Sequence, residues 1–310
     1  MNSFGRFFRI SLFGESHGKN IGITIDGCPA GVPISEKDFT LDLKRRQAKA
    51  KGTTQRREPD IPMIISGIFN NRATGSPLTI IFENQDVRSE DYDAAKDLPR
   101  PGHADLVAHQ KYRGFNDYRG SGHFSGRLTA PLVAAGVVAK KLISPATVCA
   151  TVTEVGGSRD IEKAVNSALQ KDDSIGGIVE CNTAGLPAGW GEPFFDSVES
   201  QISHLAFAVP GIKGIEFGSG FACSHMTGSE CNDIILDKNG KTETNHSGGI
   251  NGGITNSNEL VFRVAVKPPS SIKKEQATVN LITGKPETIS VQGRHDACIA
   301  LRLPVIIEAV

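Results

Sequence analysis

The sequence predicts an α+β protein in which helices pack against sheets. Short segments in which apolar and polar residues alternate, as in strands, lie between segments with apolar residues every three or four positions, as in helices. These segments do not follow the regular spacing of strand–helix–strand units, because long irregular stretches intervene at 85–125 and 218–257. Irregular stretches of this length inside a compact domain are usually functional loops. No Pro- or Ser-rich linker divides the chain, so a single domain over 1–310 is expected.

Five segments are predicted to be strands. Each is short and rich in β-branched or other apolar residues, and the first alternates apolar with small or polar residues. In chain order they are Ile21–Asp26, Thr79–Phe82, Thr147–Val152, Gly177–Val179 and Leu260–Val266.

Four segments are predicted to be helices. Ser35, followed three residues later by Asp38, resembles a capping box and marks the start of the first. The other three have apolar residues spaced for one buried face, and Pro145 and Pro210 are expected to stop two of them. They are Arg127–Ile143, Asp160–Gln170 and a segment from Val198 to Ala206.

The composition excludes several classes of protein. Lys plus Arg and Asp plus Glu both number 34, so the chain as a whole is not a broad basic surface for nucleic acid. No apolar run is long enough to span a membrane, and the first residues do not resemble a secretory signal. The six cysteines form no C-x-x-C pair, which favours reduced thiols in a cytoplasmic protein.

A basic segment at 44–57 is the strongest local anomaly. It contains seven Lys or Arg residues and no acidic residue, which indicates an anionic partner. A small polyanion suits guanidinium groups, which bind carboxylate and phosphate in bidentate fashion. A solvated helix face and a nucleic-acid contact are the alternatives.

Three loops combine histidine with glycine, arginine or serine, and such loops favour function over packing. They contain His17 at 14–18, His103 at 100–105 and His123 at 119–127. The third loop leads into a predicted helix and could offer backbone N–H groups to a phosphate. A metal site is not predicted, because the histidines lack an i, i+4 partner and suitably spaced cysteines. Serine hydrolase chemistry is disfavoured by the absence of a G-x-S-x-G segment.

Two segments near the end of the chain carry further candidates. Lys267 follows a predicted strand and precedes Ser270 and Ser271, which suits a second phosphate. Arg294 lies close to Asp296, which pairs a fixed cation with a carboxylate that could act as a base. A surface salt bridge is the alternative for that pair.

Together these segments resemble the chorismate synthase family, and nine of them occur in the family's order over most of the chain. They are GESHG at 14–18, TTQRREPD at 53–60, NQDVRSEDY at 84–92, RPGHAD at 100–105, DYRGSG at 117–122, GEPFFD at 191–196, GGINGGI at 248–254, KPPSSI at 267–272 and GRHDAC at 293–298.

The resemblance implies a β-α-β sandwich that assembles as a cytoplasmic homotetramer. It implies conversion of 5-enolpyruvylshikimate 3-phosphate to chorismate and phosphate by a 1,4-elimination, a step in aromatic amino acid biosynthesis. The implied cofactor is reduced FMN, and NADP is a further implied ligand. No nucleic acid, membrane or metal partner is implied.

The resemblance also assigns roles to residues. His17 is expected to protonate the leaving phosphate, His103 to stabilise the reduced flavin, and Asp296 to take part in removing the ring proton. Binding of substrate or NADP is expected from Arg45, Lys51, Arg127 and Arg294. FMN contacts are expected from His123, Phe124, Ser125, Gly252, Lys267, Pro268, Pro269, Ser270, Ser271 and Arg294.

Two alternatives remain open. The family commonly has Arg-Ser-Ser where this chain has His123-Phe124-Ser125, so an FMN-binding homologue without the elimination activity is the first. An RNA-binding module that uses the basic segment is the second, and the lack of interleaved aromatic residues there argues against it.

Overall fold

The structure is a computed structural model that describes residues 1–47, 50–54, 58–86, 96–291 and 295–310. Within these ranges no helix is both long enough and apolar enough to cross a bilayer. The strands are β1 Ser3–Phe4, β2 Arg9–Gly14, β3 Asn20–Asp26, β4 Met63–Ser66, β5 Ile68–Phe69, β6 Arg72–Ala73, β7 Leu78–Glu83, β8 Thr147–Val155, β9 Gly177–Ala184, β10 Ile212–Phe217, β11 Ile250–Asn251, β12 Ile254–Thr255, β13 Leu260–Val266, β14 Gln276–Val279 and β15 Pro286–Ile289.

The helices are mostly short. They are α1 Thr40–Arg46, α2 Asp105–Lys111, α3 Thr129–Leu142, α4 Ile161–Gln170, α5 Val198–Ala208, α6 Gly228–Cys231 and α7 Pro304–Ile307. Turns of 3₁₀ helix occur at Glu36–Phe39, Arg119–Phe124, Gly126–Leu128, Gly220–His225 and Ile299–Arg302.

Two antiparallel sheets form the outer layers. The first has the order β1-β2-β3-β7-β4, and the second has the order β10-β13-β9-β8. Alternate residues of the central strands are buried, as with Ile21, Ile23 and Ile25 in β3, because side chains of a strand point alternately to its two faces. Three two-stranded hairpins, β5–β6, β11–β12 and β14–β15, lie outside these sheets.

Helices α1, α3 and α7 lie between the sheets. Helix α3 contacts β3 and β7 of the first sheet, whereas α7 contacts β8 and β9 of the second. The three helices also contact one another, and their buried residues join those of both sheets in one hydrophobic cluster. The predicted α+β class and the implied β-α-β sandwich are therefore confirmed.

The predicted elements are confirmed with changes of boundary, the largest at β9, which ends at Ala184 where the prediction ended at Val179. All five predicted strands occur, as β3, β7, β8, β9 and β13, and three of the predicted helices occur as α3, α4 and α5. The predicted capping box at Ser35 is present, because Asp38 accepts a hydrogen bond from the Ser35 backbone N–H at 2.7 Å. It starts a 3₁₀ turn that continues into α1.

The two stretches predicted to be irregular contain more structure than the sequence indicates. Helix α2 and the 3₁₀ turn Arg119–Phe124 lie in the first, and α6 and the β11–β12 hairpin lie in the second. Strands β2 and β10 were also not predicted. Both are only partly buried and carry polar residues among the apolar ones, so their alternation is weak.

Candidate active site

A cavity of about 1060 Å³ opens where loops from both sheets meet the ends of α1, α3 and α7. Cationic residues outnumber carboxylates in its wall, which makes it suited to anions. The cationic side chains are Arg46, Arg100, Arg127, Lys267 and Arg302, and the carboxylates are Glu58, Asp60 and Asp296.

Asp60 holds two arginine side chains at one side of this cavity. Its side chain is fully buried, and it accepts hydrogen bonds from Arg46 at 2.5 Å and from Arg127. Burial alone would raise the pKa of Asp60, but the charges of Arg46 and Arg127 outweigh it and hold the pKa below its usual value. Asp60 is therefore an ionised clamp between two permanent cations.

The amount of positive charge at this clamp exceeds what Asp60 can neutralise. Arg127 also lies 3.9 Å from Glu58, and its Nε donates to the Asn84 side chain at 2.9 Å. Arg46 donates weakly to Thr129 at 3.4 Å, but its buried Nε has no hydrogen-bond partner among the described residues. An unpartnered N–H of a buried guanidinium group is costly unless a ligand accepts from it.

His103 lies in a second group, built around Asp105. Arg100 donates to Asp105 from Nε at 2.7 Å and from Nη2 at 2.8 Å. His103 Nδ1 lies 2.7 Å from the same carboxylate, and its Nε2 lies 3.2 Å from the Ser121 hydroxyl. Because an ionised carboxylate only accepts, Nδ1 is the protonated nitrogen in this contact. The ring orientation of His103 is thus fixed from both sides.

Asp105 stays ionised in this group. Burial would raise its pKa, but hydrogen bonds from Arg100 and His103 outweigh that effect and lower the pKa well below the ordinary range. Arg100 also donates to Ser271 at 2.8 Å, which connects the group to the loop after β13.

Asp296 faces the cavity from the loop before the 3₁₀ turn Ile299–Arg302. One oxygen accepts from the Thr54 backbone N–H at 2.8 Å and the other from Arg302 at 3.2 Å. The side chain is 14% exposed. Asp296 is therefore oriented by two donors and still accessible from the cavity.

The loop after β13 contributes another cation. Lys267 donates to the backbone oxygen of Gly102 and to the Ser270 hydroxyl at 2.7 Å. Burial lowers the pKa of Lys267, assisted by the charge of Lys213. Phe124 and Ser125 also line the cavity, and the Ser125 hydroxyl caps the turn that leads into α3 by accepting from the Arg127 backbone N–H at 3.2 Å.

His17 lies directly behind the cavity wall. It is buried, and it packs against Gly120, which lines the cavity. A Cβ on Gly120 would lie 2.6 Å from the ring of His17, and the φ of Gly120 is +55°. Only glycine fits here, because a side chain would both strain the backbone and collide with the ring.

Several residues predicted from the sequence do not line the cavity. Arg45 is paired with Glu308, and His123 contacts the backbone oxygen of Gly14 at 3.0 Å and the side chain of Asn2. Lys51, Gly252 and Pro268 are likewise not in the cavity wall. Arg294 lies outside the described residues, as do Lys49, Arg56 and Arg57 of the basic segment.

Nine of the predicted residues line the cavity. They are His103, Phe124, Ser125, Arg127, Lys267, Pro269, Ser270, Ser271 and Asp296. The sequence reading did not assign a role to Arg46, Asp60, Arg100 or Arg302. Arg46, Arg100 and Asp60 lie in segments that the sequence analysis singled out, whereas Arg302 carries no local signal beyond its charge.

Comparison with known proteins identifies the relatives of this chain. The family model described as chorismate synthase matches residues 8–310. A chorismate synthase from Chitinophaga pinensis is 61% identical over 311 residues, covering 100% of this chain and 94% of that protein. One from Dehalococcoides mccartyi is 42% identical, covering 99% of this chain and 93% of that protein.

A solved structure has the same fold. It is a crystal structure of a chorismate synthase that matches with a TM-score of 0.74 and covers 98% of this chain and 89% of its own. Its sequence identity is 24%, so this comparison bears on the fold.

Proposed function

Since the chain belongs to the chorismate synthase family and converts 5-enolpyruvylshikimate 3-phosphate to chorismate and phosphate, we propose that the cavity described above is where this reaction occurs. The observation that carries the proposal is the cluster of Arg46, Arg100, Arg127, Lys267 and Arg302 around one cavity. The substrate has two carboxylates and a phosphate, so it requires several cations in one place.

Reduced FMN is the proposed cofactor, and the cavity suits it. A volume of about 1060 Å³ is slightly above the usual range for small-molecule sites, which suits a cofactor and a substrate bound together. The wall combines cations with the apolar side chains of Phe124, Ile299 and Ile306, as a planar ring with a phosphate tail requires. When bound, the reduced flavin supplies electron density to the carbon–oxygen bond that breaks.

The arginine groups bind and orient the anionic substrate. Arg46 and Arg127 are held by Asp60 before any ligand arrives, so little side-chain entropy is lost on binding. Both guanidinium groups line the cavity, where they can donate to carboxylate or phosphate oxygens. Such preorganised cations favour the developing negative charge of a departing phosphate.

Two groups, Asp296 and His17, are proposed to transfer protons, and a third, His103, to stabilise charge. Asp296 is held by Thr54 and Arg302, and we assign it the removal of the ring proton. His103 is oriented by Asp105 so that its Nε2 faces Ser121, and we assign it stabilisation of negative charge on the bound flavin. His17, behind Gly120, is proposed to protonate the leaving phosphate, a step for which that loop must let the ring reach the cavity.

The remaining predictions are proposals of the same kind. A single domain over 1–310 is supported by one hydrophobic cluster that joins both sheets. A cytoplasmic homotetramer and NADP as a further ligand are proposed from the resemblance to the family. Roles for Lys51, Gly252, Pro268 and Arg294 rest on the resemblance alone.

Anaerobic assay of phosphate release tests this proposal. The purified protein is given 5-enolpyruvylshikimate 3-phosphate and dithionite-reduced FMN, with oxidised FMN as the matched control. We expect multiple turnovers with reduced FMN and no turnover with oxidised FMN. Binding of FMN without phosphate release would favour the homologue that has lost the elimination activity.

The variant Asp296→Asn tests whether the reaction depends on the cavity and not on other parts of the molecule. Asp296→Asn is expected to lower turnover by about 10²- to 10⁴-fold while substrate still binds, because the amide cannot accept a proton. Asp196→Asn is the control, since Asp196 pairs with Arg6 on the exposed surface. Normal turnover in Asp296→Asn would remove this residue as the base.

A further inference from the structure

Arg45 is committed to a partner within the protein. Its two terminal nitrogens donate to the two oxygens of Glu308, at 2.7 and 2.6 Å, and one of them also donates to Asp42 at 3.2 Å. Glu308 directly follows helix α7, so this bidentate pair joins α1 to the C-terminal segment 299–310.

Glu308 is a buried junction of several elements. Its side chain is 2% exposed, and it also accepts from Lys140 of α3 at 2.8 Å and from the Ala150 backbone N–H of β8 at 3.0 Å. Burial would raise the pKa of Glu308, but hydrogen bonds from Arg45 and Lys140 outweigh it and lower the pKa. The carboxylate is therefore ionised and fully used by internal donors.

The C-terminal segment also approaches α3 closely. A Cβ added at Gly136 of α3 would lie 2.4 Å from the Cβ of Ala309, which is far inside normal contact distance. Glycine at 136 therefore allows the segment that follows α7 to lie against α3. The position of this segment is thus fixed by shape as well as by charge.

The two segments joined by Arg45 and Glu308 both contribute to the cavity wall. Arg46 is the last residue of α1, and Arg302 and Ile306 belong to the C-terminal segment. Arg302 Nε also donates to the backbone oxygen of Arg46 at 3.3 Å. A shift of α1 relative to the C-terminal segment would therefore change the spacing of two cations in the cavity.

We propose that Arg45 is a positioning residue whose ion pair with Glu308 sets the spacing of Arg46 and Arg302 in the cavity wall. It acts through these two residues and does not itself bind the anionic substrate. The inference rests on the proposed function in one respect, namely that this cavity is where the substrate binds. Binding by Arg45 would require breaking its bonds to a buried carboxylate, which is unfavourable.

A double-mutant cycle distinguishes the two roles. The variants are Arg45→Gln, Glu308→Gln and both together, assayed for KM and kcat with 5-enolpyruvylshikimate 3-phosphate and reduced FMN. Each single variant is expected to raise KM by about tenfold with kcat nearly unchanged. The double variant is expected to raise KM by much less than the product of the two single effects, because both substitutions remove the Arg45–Glu308 pair and only Glu308→Gln also weakens the contact with Lys140. A normal KM in Glu308→Gln beside a raised KM in Arg45→Gln would overturn the proposal.

Two further variants test whether geometry, and not general stability, is responsible. Arg45→Lys keeps the charge but cannot form the two parallel bonds to Glu308, so its KM is expected to lie between those of the unmodified protein and Arg45→Gln. Gly136→Ala removes no charge but pushes on Ala309, so it is expected to raise KM as the charge variants do. A normal KM in Gly136→Ala would contradict the role of the C-terminal segment.

Lys141→Gln is the matched control. Lys141 pairs with Asp38 at 3.1 Å and joins α3 to the turn before α1, whereas Glu308 is bound by its neighbour Lys140. Its loss is expected to leave KM unchanged even where it lowers the thermal midpoint. An equal rise of KM in this control would show that Arg45 acts only through overall stability and would overturn the proposal.

Hydrogen exchange gives a readout that does not depend on catalysis. Backbone amides of 303–309 are expected to exchange about tenfold faster in Arg45→Gln than in the unmodified protein, because the segment loses its anchor. Unchanged exchange would overturn the positioning role. Absence of phosphate release in the unmodified protein would instead overturn the proposed function, and the exchange result would still stand.

Discussion

Asp60 and Asp105 both hold arginine side chains beside the cavity, but only Asp105 also holds a histidine. Asp60 is fully buried and pairs with Arg46 and Arg127, whereas Asp105 is 15% exposed and pairs with Arg100 and His103. Asp60 therefore compensates two permanent cations, with Glu58 as a second carboxylate beside Arg127, whereas Asp105 compensates one cation and orients a titratable ring.

This difference separates two tasks in one cavity. The group around Asp60 keeps its charge at any physiological pH, so it can bind anions but cannot exchange protons. The group around Asp105 fixes which nitrogen of His103 carries the proton, which leaves the other nitrogen for exchange with Ser121 or a ligand. The contrast predicts that losing Asp60 harms folding most, and losing Asp105 harms catalysis most.

Replacing Asp60 is expected to have the largest effect. Asp60→Asn leaves Arg46 and Arg127 buried with much less compensating charge. Breaking a buried ion pair by removing one partner costs about 3–5 kcal/mol of folding free energy. Denaturant unfolding of the variant and the unmodified protein measures this loss.

Asp26→Asn is the control for this experiment. Asp26 also pairs with an arginine, Arg9, but at the exposed surface of the first sheet. Its replacement is expected to leave the free energy of unfolding within error of the original. Similar stability in Asp60→Asn and the original protein would show that Asp60 is not a structural clamp.

Replacing Asp105 is expected to affect turnover more than stability. Asp105→Asn can still accept from Arg100, but it no longer fixes the protonated Nδ1 of His103. Turnover is expected to fall by about 10- to 100-fold, equivalent to about 1.4–2.7 kcal/mol in the activation barrier. Steady-state kinetics and unfolding measured on the same sample separate the two effects.

Asp60→Asn and Asp105→Asn are compared after correction for the folded fraction. Equal losses of turnover would contradict the separate roles of Asp60 and Asp105. Asp173→Asn is a suitable control, because Asp173 pairs with Lys274 on the surface and does not line the cavity.

The pH dependence of the free energy of unfolding tests the property that Asp60 and Asp105 share, which is a lowered pKa. The native pKa values of Asp60 and Asp105 both lie below the ordinary value of 3.8. A lowered native pKa contributes stability that is complete above the unfolded value and is lost as the pH falls through the native value. The free energy of unfolding should therefore decrease as the pH falls below about 3.8, and this decrease should be smaller in either asparagine variant. An equally steep decrease in both variants would contradict these assignments.

The sequence alone predicts the regular core well. Strand β13 was predicted with its observed bounds, and α3 within two residues at its start, because alternation and helical spacing report directly on burial. Strand β10 was missed because Lys213 and Glu216 interrupt its apolar pattern. It is held by pairing with β13, a long-range contact that no local pattern encodes.

The site was predictable where loops are unusual in composition. His103, Lys267 and Asp296 were found in this way, and all three line the cavity. Arg45 and Arg46 could not be told apart, because neighbouring residues of a helix point about 100° apart and only packing decides which one faces the cavity. Arg302 and Asp60 likewise depend on tertiary placement.

Replacing Ser121 is expected to have the smallest effect, but it tests the contrast between the Asp60 and Asp105 groups most specifically. Its hydroxyl lies 3.2 Å from His103 Nε2 and accepts from Arg100 at 3.1 Å, so it belongs to the Asp105 group and not to the Asp60 group. Ser121→Ala is expected to lower turnover by only about three- to tenfold, since the hydrogen bond that His103 loses is neutral and contributes about 0.5–1.5 kcal/mol, while Arg100 keeps its bonds to Asp105. Ser197→Ala, which removes the N-terminal cap of α5 away from the cavity, is expected to lower stability instead. Kinetics and unfolding of both variants should therefore show opposite patterns, and a loss of stability without loss of turnover in Ser121→Ala would place Ser121 outside the catalytic group.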